Sequence, residues 1–146
     1  MANTLKLEIV TPEGRTFPAA GADGKPESND VEMVTLPGSE GEMGIYPMHV
    51  PLMTQIVAGE IIVRRDGRDF HLAVGEGFVE ITGDHVAVMT DMAIKAENID
   101  EAKAEEARRR AETRLSEKLN EEDAAMAQAA LAHSVAQLKV KRRTHS

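Results

Sequence analysis

The sequence predicts a two-part β + α fold, with an N-terminal antiparallel β-sandwich or barrel followed by a C-terminal antiparallel α-helical hairpin. Three observations indicate this fold. Short apolar runs with a period of two recur between residues 5 and 92. From residue 95 onwards the chain is mostly Ala, Glu, Lys, Arg and Leu and contains no Gly or Pro. The 146 residues suit one domain or two small ones, and we predict a sandwich domain at 1–92 and a two-helix domain at 93–146.

The first strand is predicted at residues 5–10, because Leu5, Leu7 and Ile9 alternate with residues that would point to the opposite face. The pair Asp66-Gly67 predicts a tight hairpin turn, since Gly adopts positive φ without a steric penalty. Many short strands joined by such turns, with no helix between them, are typical of an antiparallel sandwich or barrel. Further strands are predicted at 31–36, 52–57, 60–64, 69–74, 77–81 and 85–90.

Two helices are predicted, at about 98–118 and about 121–140. Asn98 and Glu101 resemble a capping box, and Asn120 marks a second helix start. Apolar residues then recur every three or four positions on each helix, which predicts an antiparallel hairpin. Because the seam is rich in alanine, which buries little apolar surface, we expect the hairpin to be held weakly and to move. The seam residues are Ala104, Ala107, Ala111, Leu115 and Leu119 on the first helix and Ala124, Ala127, Leu131, Val135 and Leu138 on the second.

The composition argues against several classes of protein. The formal net charge is -8 and aromatic residues make up 3%, so no nucleic-acid partner is expected. The absence of Cys excludes disulfides, thiolate zinc sites and a cysteine nucleophile. We expect no metal site, no membrane-spanning helix and no signal peptide. The excess negative charge lies in residues 1–96, which hold 15 acidic and 7 basic side chains, whereas residues 97–146 hold 10 of each.

The most distinctive segment is 36–53, in which three glycines precede two prolines around His49. A phosphate-binding loop is one interpretation, but a P-loop needs Lys followed by Ser or Thr after its last Gly. This segment instead carries Glu40 and Glu42, which would repel a phosphate. We therefore expect an exposed connection with tight turns.

The same segment resembles the epsilon subunit of bacterial F-type ATP synthases, whose members carry a closely similar Gly-Ser-Glu-Gly-Glu-x-Gly-Ile-x-Pro-x-His-x-Pro-Leu run. The resemblance continues through residues 74–78 and 91–94 into the helical tail. It implies a non-catalytic central-stalk subunit that contacts the gamma subunit and the c-subunit ring and couples proton translocation to ATP synthesis. It also implies a location peripheral to the bacterial inner membrane, on the cytoplasmic side, without direct lipid insertion.

The resemblance also assigns contact residues. Glu40, Glu42 and His49 match positions that contact the c ring or gamma. The helical hairpin is implied to extend between the alpha and beta subunits, where basic side chains meet acidic ones and ATP hydrolysis is inhibited. Candidate basic contacts on the first helix are Arg108, Arg109, Arg110, Arg114 and Lys118, with residues 139–143 beyond the second. The alternative is that these residues form an ordinary solvated face.

Some members of the family bind ATP through an Ile/Leu-Asp-x-x-Arg-Ala motif. This chain has Ile99, Asp100, Lys103 and Ala104 at those positions, so Lys replaces the planar, multiply donating Arg. His133 and Gln137 stand where ATP-binding members have arginines. We therefore expect ATP to be at most a weak regulatory ligand and no cofactor to be required. Asp100 could equally serve only as a helix cap.

Two further interpretations remain. The sequence offers no base, nucleophile or metal cluster of the kind an enzyme needs, so we expect no catalytic residue in this chain. A stand-alone β-sandwich that binds a ligand, with a helical tail, is the alternative function. The segment 18–30 is about ten residues longer than the family leads us to expect, and its Gly, Pro, Ser and Asp content predicts a loop whose role stays open.

Overall fold

The computed structural model describes residues 4–19, 23–25, 27–48 and 50–144. Eleven strands occupy the N-terminal part of these residues. Six of the seven predicted strands are present within a few residues of their expected bounds, and the one predicted at 31–36 is divided into two. The strands are β1 (Leu5–Thr11), β2 (Gly14–Phe17), β3 (Asp30–Val31), β4 (Met33–Gly38), β5 (Gly41–Ile45), β6 (Leu52–Ile56), β7 (Gly59–Arg65), β8 (Arg68–Val74), β9 (Gly77–Thr82), β10 (His85–Thr90) and β11 (Ala93–Lys95).

The strands form one hydrogen-bonded sheet in the order β11-β8-β7-β4-β6-β9-β10-β1-β2, with β3 paired to β1 and β5 paired to β4. Only the β1–β10 pair is parallel among the described residues. Strand β4 links the two halves of the sheet, because it pairs with β7 over its first half and reaches β6 at Gly38. The sheet thereby folds over on itself and encloses a core, as the sandwich prediction requires.

Alternate residues of the long strands point into this core. Leu5, Leu7 and Ile9 of β1 are fully buried, while Lys6 and Glu8 between them are exposed. Strands β4, β7, β9 and β10 show the same alternation. Each fully buried Leu, Ile or Val contributes about 1.5 to 3 kcal/mol relative to an exposed one, so the core strongly stabilises the sandwich. Its other members are Phe17, Val31, Val34, Leu36, Ile45, Ile56, Ile61, Val63, Leu72, Val74, Val79, Ile81, Val86 and Val88.

The predicted turns connect the strands. Asp66 and Gly67 both have positive φ, 54° and 73°, as a primed hairpin turn between β7 and β8 requires. The sheet continues past residue 92, because β11 pairs with β8 before a 3-10 turn, Ala96–Asn98, leads to the helices. The predicted domain boundary after residue 92 assigned residues 93–95 to the helical domain, whereas they form the last strand of the sheet.

The two helices are α1 (Glu101–Leu115) and α2 (Glu121–Thr144). The predicted capping box at Asn98 is wrong: Asn98 lies in the 3-10 turn, and Asp100 caps α1, accepting a hydrogen bond from Lys103 N over 3.1 Å. Asn120 does begin the second helix, since its Oδ1 accepts from Asp123 N over 2.7 Å. Helix α1 is therefore shorter at both ends than predicted, and α2 continues four residues beyond 140.

Helix α2 lies between α1 on one side and strands β7 and β8 on the other. Ala136 and Val140 join Ala73, Ala96 and Ile99 in a second, small core between α2 and the sheet. Ala104, Ala111 and Ala127 are buried, as the seam prediction expects. Val135 is 47% exposed, so its assignment to the seam is wrong. The sequence pattern suggested one buried stripe, whereas α2 buries two faces and leaves Val135 outside both.

Candidate functional site

The glycine-rich segment builds a hairpin between β4 and β5. Gly38 pairs with Gly41 across a two-residue turn, and a Cβ on Gly38 would lie 2.7 Å from the Gly41 carbonyl oxygen. Gly41 has φ +127°, which side chains of L-residues rarely allow. Glu40 lies exposed in this turn, and Glu42 is exposed on β5 opposite Pro37. The glycines thus present two carboxylates at an edge of the sandwich, on a strand, β5, that the sequence pattern did not predict.

The connection from β5 to β6 presents apolar side chains. His49 lies outside the described residues, but its neighbours Tyr46, Met48 and Val50 are exposed, Met48 by 78%. The loop is tied to the β9–β10 turn, because Met48 N donates to Asp84 Oδ1 over 3.1 Å. An exposed apolar loop held in place by the fold is typical of a protein contact.

A second exposed apolar surface crosses β6, β9 and β10. Met53, Phe78 and Met89 are 64%, 54% and 48% exposed, and Phe78 lies directly opposite Met89 in the ladder. We call these three residues the apolar face. They were not among the predicted site residues, although the alternation of β9 and β10 already placed Phe78 and Met89 opposite to the buried Val79 and Val88.

Four of the five candidate basic residues lie on α1, and these four pair with acidic residues of the hairpin. Arg108 contacts Glu105 and, over 2.6 Å, Glu112. Arg110 lies 3.2 Å from Glu106. The Arg108 guanidinium, and less strongly Arg142 of α2, hold the pKa of Glu105 below its usual range.

The remaining basic candidates follow the same pattern with one difference. Arg109 Nε lies 3.7 Å from Glu105, and Arg114 lies 3.2 Å from Glu117. Lys118 is exposed in the connection between the helices, not on α1 where it was predicted. Any acidic partner of these arginines has to displace carboxylates that already form ion pairs with them.

The residues predicted for weak ATP binding have structural roles. Ile99 is buried in the small core between α2 and the sheet, and Ala104 is buried on α1. Asp100 caps the helix through Lys103 N, which is the alternative role considered for it. An open groove of about 340 Å³ between the helices lies further along, between residues 107–114 and 123–130, and does not include these positions.

His133 and Gln137 of α2 face the sandwich. His133 Nε2 lies 3.0 Å from Asp91 Oδ1, and Gln137 Nε2 lies 3.8 Å from Met92 Sδ. These two side chains thus contact the two residues that directly follow β10.

The described residues contain neither a metal site nor a membrane-spanning helix. No group of three or more His, Asp or Glu side chains in this part of the chain could hold a metal ion. Neither described helix is long and apolar enough to cross a membrane.

Similarity to known proteins covers nearly the whole chain. Residues 4–96 match the family described as the ATP synthase Delta/Epsilon chain beta-sandwich domain, and residues 97–142 match the corresponding long alpha-helix domain. The ATP synthase epsilon chain of Desulforamulus reducens is 37% identical over 139 residues, which are 95% of this chain and 98% of that protein. The epsilon chain of Pelotomaculum thermopropionicum is 42% identical over 115 residues, 79% of this chain and 78% of that one.

Solved structures show the same fold at low sequence identity. A chain in the mitochondrial ATP synthase of Euglena gracilis, determined as an OSCP/F1/c-ring assembly, has a TM-score of 0.72 and 21% identity, over 95% of this chain and 81% of that one. A chain in the central stalk and c-ring of the Tetrahymena thermophila enzyme has a TM-score of 0.50 and 10% identity, over 99% of both chains. The family matches, the 37% identity over almost the full relative and the order of sandwich and hairpin agree, and the chain belongs to the epsilon-chain family of ATP synthase as a non-catalytic subunit of the central stalk.

Proposed function

We propose that this chain joins the gamma subunit to the c-subunit ring, so that proton-driven rotation of the ring is passed to the catalytic head. The observation that carries the proposal is the apolar face of Met53, Phe78 and Met89 on an otherwise acidic sandwich. A lone soluble domain gains nothing from such a surface, whereas a subunit can bury it against a partner. Membership of the epsilon-chain family supports this function over the stand-alone ligand-binding module.

The two exposed surfaces of the sandwich divide the contacts. The apolar face suits gamma, because a permanent contact within a rotor favours a large apolar area. The edge with Glu40 and Glu42, together with the loop around His49, suits the polar loops of the c ring. We accordingly propose that the chain lies at the periphery of the bacterial inner membrane, on its cytoplasmic side, and is held there by protein contacts.

Substitution of the apolar face tests the gamma contact. Phe78→Ser together with Met89→Ser should abolish co-purification of the chain with gamma, because both residues lose the area they would bury. Val135→Ser, on the outer side of α2, removes a similarly exposed apolar side chain and should leave co-purification intact. Retention of gamma by the double variant, with an unchanged sandwich, would contradict the assignment.

The helical hairpin supplies the regulatory part of the function. We propose that it leaves the sandwich, extends between alpha and beta and inhibits ATP hydrolysis through Arg108, Arg109, Arg110, Arg114 and Lys118. The small alanine-rich contacts of α2 support a movable hairpin, and the paired arginines offer charges that can change partners. The alternative, a solvated face with no inhibitory role, predicts no effect of these charges.

ATPase activity of the reconstituted catalytic head tests inhibition. Deleting everything after Glu97 should raise the hydrolysis rate relative to the full chain. A full-length variant with the five basic residues changed to Gln keeps the helices but removes their positive charges. It should also raise the hydrolysis rate if the charges are needed for inhibition. Equal rates for all three chains would refute the inhibitory role while leaving the gamma contact untouched.

ATP itself is proposed as no more than a weak ligand. The Asp100 side chain caps α1 and Ile99 is buried, so these two residues are committed to the fold. Isothermal titration of the isolated chain with ATP should give no binding or millimolar affinity. Low-micromolar binding would show that the Arg to Lys exchange at residue 103 is tolerated.

A further inference from the structure

Glu60 is a buried carboxylate in contact with the helical hairpin. It lies on β7, its side chain is 7% exposed, and its two oxygens have separate partners. Oε2 lies 3.0 Å from His71 Nδ1 on β8, and Oε1 lies 2.5 Å from Arg143 Nη1 on α2. Burying a carboxylate without a partner costs free energy. The contacts with Arg143 and His71 offset that cost for Glu60.

Two consecutive arginines at the end of α2 point to different neighbours. Arg143 reaches the sandwich through Glu60. Arg142 reaches α1 instead, with Nε 2.9 Å from Glu101 and Nη2 3.2 Å from Glu105. One turn of α2 therefore holds both of its neighbours, each through its own arginine.

The rest of the contact between α2 and the sheet is small. Its apolar part consists of three alanines with Ile99 and Val140, and Met92 and Ile94 pack partly buried against them. Lys141 Nζ adds a hydrogen bond to the Ala96 carbonyl oxygen over 3.0 Å. Because this apolar contact is small, losing the partner of the buried Glu60 carboxylate should measurably weaken the docking of α2.

We propose that Glu60 and Arg143 form a latch that holds the helical hairpin on the sandwich, and that Arg142 separately holds α1 on α2. Opening the latch releases the hairpin as a pair of helices, whereas loss of Arg142 loosens α1 and leaves α2 docked. An acidic protein surface that binds Arg143 would open the latch by competing with Glu60. The regulatory meaning of the latch rests on the proposed inhibitory function, but its existence does not.

The natural absence of cysteine allows a direct test in the isolated full-length chain. Ala136→Cys places a thiol in the contact between α2 and the sheet, and Ala111→Cys places one in the seam between the helices. The rate at which each thiol reacts with a disulfide reagent reports how often its contact opens. Each reporter is combined with latch variants, and far-ultraviolet circular dichroism confirms that the chain is folded.

Arg143→Gln should raise the reaction rate of Cys at position 136 about tenfold, as expected for loss of a charge-assisted hydrogen bond. Glu60→Gln should raise this rate similarly. The double variant should react little faster than either single variant, because both substitutions remove the same Glu60–Arg143 contact. Arg142→Gln should act on the reporter at 111 and not on that at 136. Lys6→Gln, which removes the exposed Lys6–Asp30 pair on the sandwich, is the matched control and should change neither rate.

Unchanged reactivity at 136 in both Arg143→Gln and Glu60→Gln would overturn the latch. Equal acceleration at 111 and 136 by Arg143→Gln would overturn the division of labour between the two arginines. Arg143→Gln sits at the end of a surface helix and leaves the sandwich core intact, so a folding defect of Glu60→Gln does not remove the test. The latch variants can also be measured in the reconstituted catalytic head. If they accelerate the thiol reaction at position 136 but leave ATPase inhibition unchanged, the proposed inhibitory function is refuted and the latch is not.

Discussion

The sandwich and the hairpin are held together by different means. The sandwich encloses a core of fully buried Leu, Ile and Val side chains contributed by strands along its whole length. The hairpin rests on a few alanines, short aliphatic side chains and ion pairs. The proposed function needs one part that is stiff enough to pass on torque and another that can detach. The two parts differ in the side chains that would provide these properties. The difference can be tested one contact at a time.

Truncation of a core residue should have the largest effect. Ile61→Ala on β7 should lower the free energy of unfolding by about 2 to 5 kcal/mol, because the cavity adds to the lost burial. Ala136→Gly, in the contact between α2 and the sheet, should cost only about 1 kcal/mol, mostly through helix propensity. Urea unfolding followed by circular dichroism measures both. Similar losses would mean that the hairpin is as firmly built as the sandwich.

Substitution in the glycine-rich β4–β5 hairpin should have the next largest effect on stability. Gly38→Ala should destabilise the sandwich by about 1 to 3 kcal/mol, since its Cβ would meet the Gly41 carbonyl oxygen at 2.7 Å. Gly24→Ala is a control, because Gly24 has positive φ, lies in a loop away from this turn and has no atom within 4 Å of the place that a Cβ would occupy. Thermal unfolding of the two variants should separate close packing from the cost of positive φ. A larger loss for Gly24→Ala would refute the role given to the β4–β5 turn.

The helix caps should have a smaller effect that is confined to the hairpin. Asp100→Ala removes the acceptor for Lys103 N and should cost about 0.5 to 2 kcal/mol of helix stability. Asp100→Asn keeps an acceptor oxygen and is the matched variant. Hydrogen exchange of α1 amides should accelerate in the first variant and hardly change in the second, with β1 amides unaffected in both. Equal acceleration in β1 would show that the two regions unfold together.

Local patterns predicted most of the fold. Alternation in β1 and the Asp66-Gly67 turn depend on neighbouring residues alone, and both were predicted correctly. Strand β5 was missed because its glycines suggested a loop, whereas it is paired through β4. The single strand predicted at 31–36 is divided at Glu32, whose N–H donates to the Arg64 carbonyl oxygen of β7. Whether such residues form a strand depends on pairing with strands that are distant in the sequence, and local sequence patterns do not reveal that pairing.

The candidate site was less predictable for the same reason. The motif gave Glu40 and Glu42, and their exposure agrees with a contact role that awaits a test. Nothing in the local sequence indicates that Glu60 and Arg143 meet, because 83 residues separate them. Val135 was placed in the seam by its spacing, but spacing alone does not tell that α2 has two buried faces.

The smallest expected effect is that of pH on two carboxylates, one on the sandwich and one on the hairpin, whose pKa values are both lowered by arginines. Arg64 holds the pKa of Asp69 below its usual value on the sandwich, and Arg108, with Arg142, does the same for Glu105 on the hairpin. A lowered pKa means that each pair stabilises the fold above the ordinary carboxylate range, and that this contribution is lost as the pH falls through the lowered value. When Asp69 is protonated, the apolar core still holds the sandwich together. When Glu105 is protonated, the hairpin loses one of the two carboxylates that bind Arg142. Lowering the pH from about 6 to about 3 should therefore loosen α1 before it affects the sandwich, as read from nuclear magnetic resonance signals of both regions. Glu105→Gln should remove part of that acid sensitivity and Asp69→Asn none of it; the reverse order would mean that surface charge matters more to the sandwich than to the hairpin.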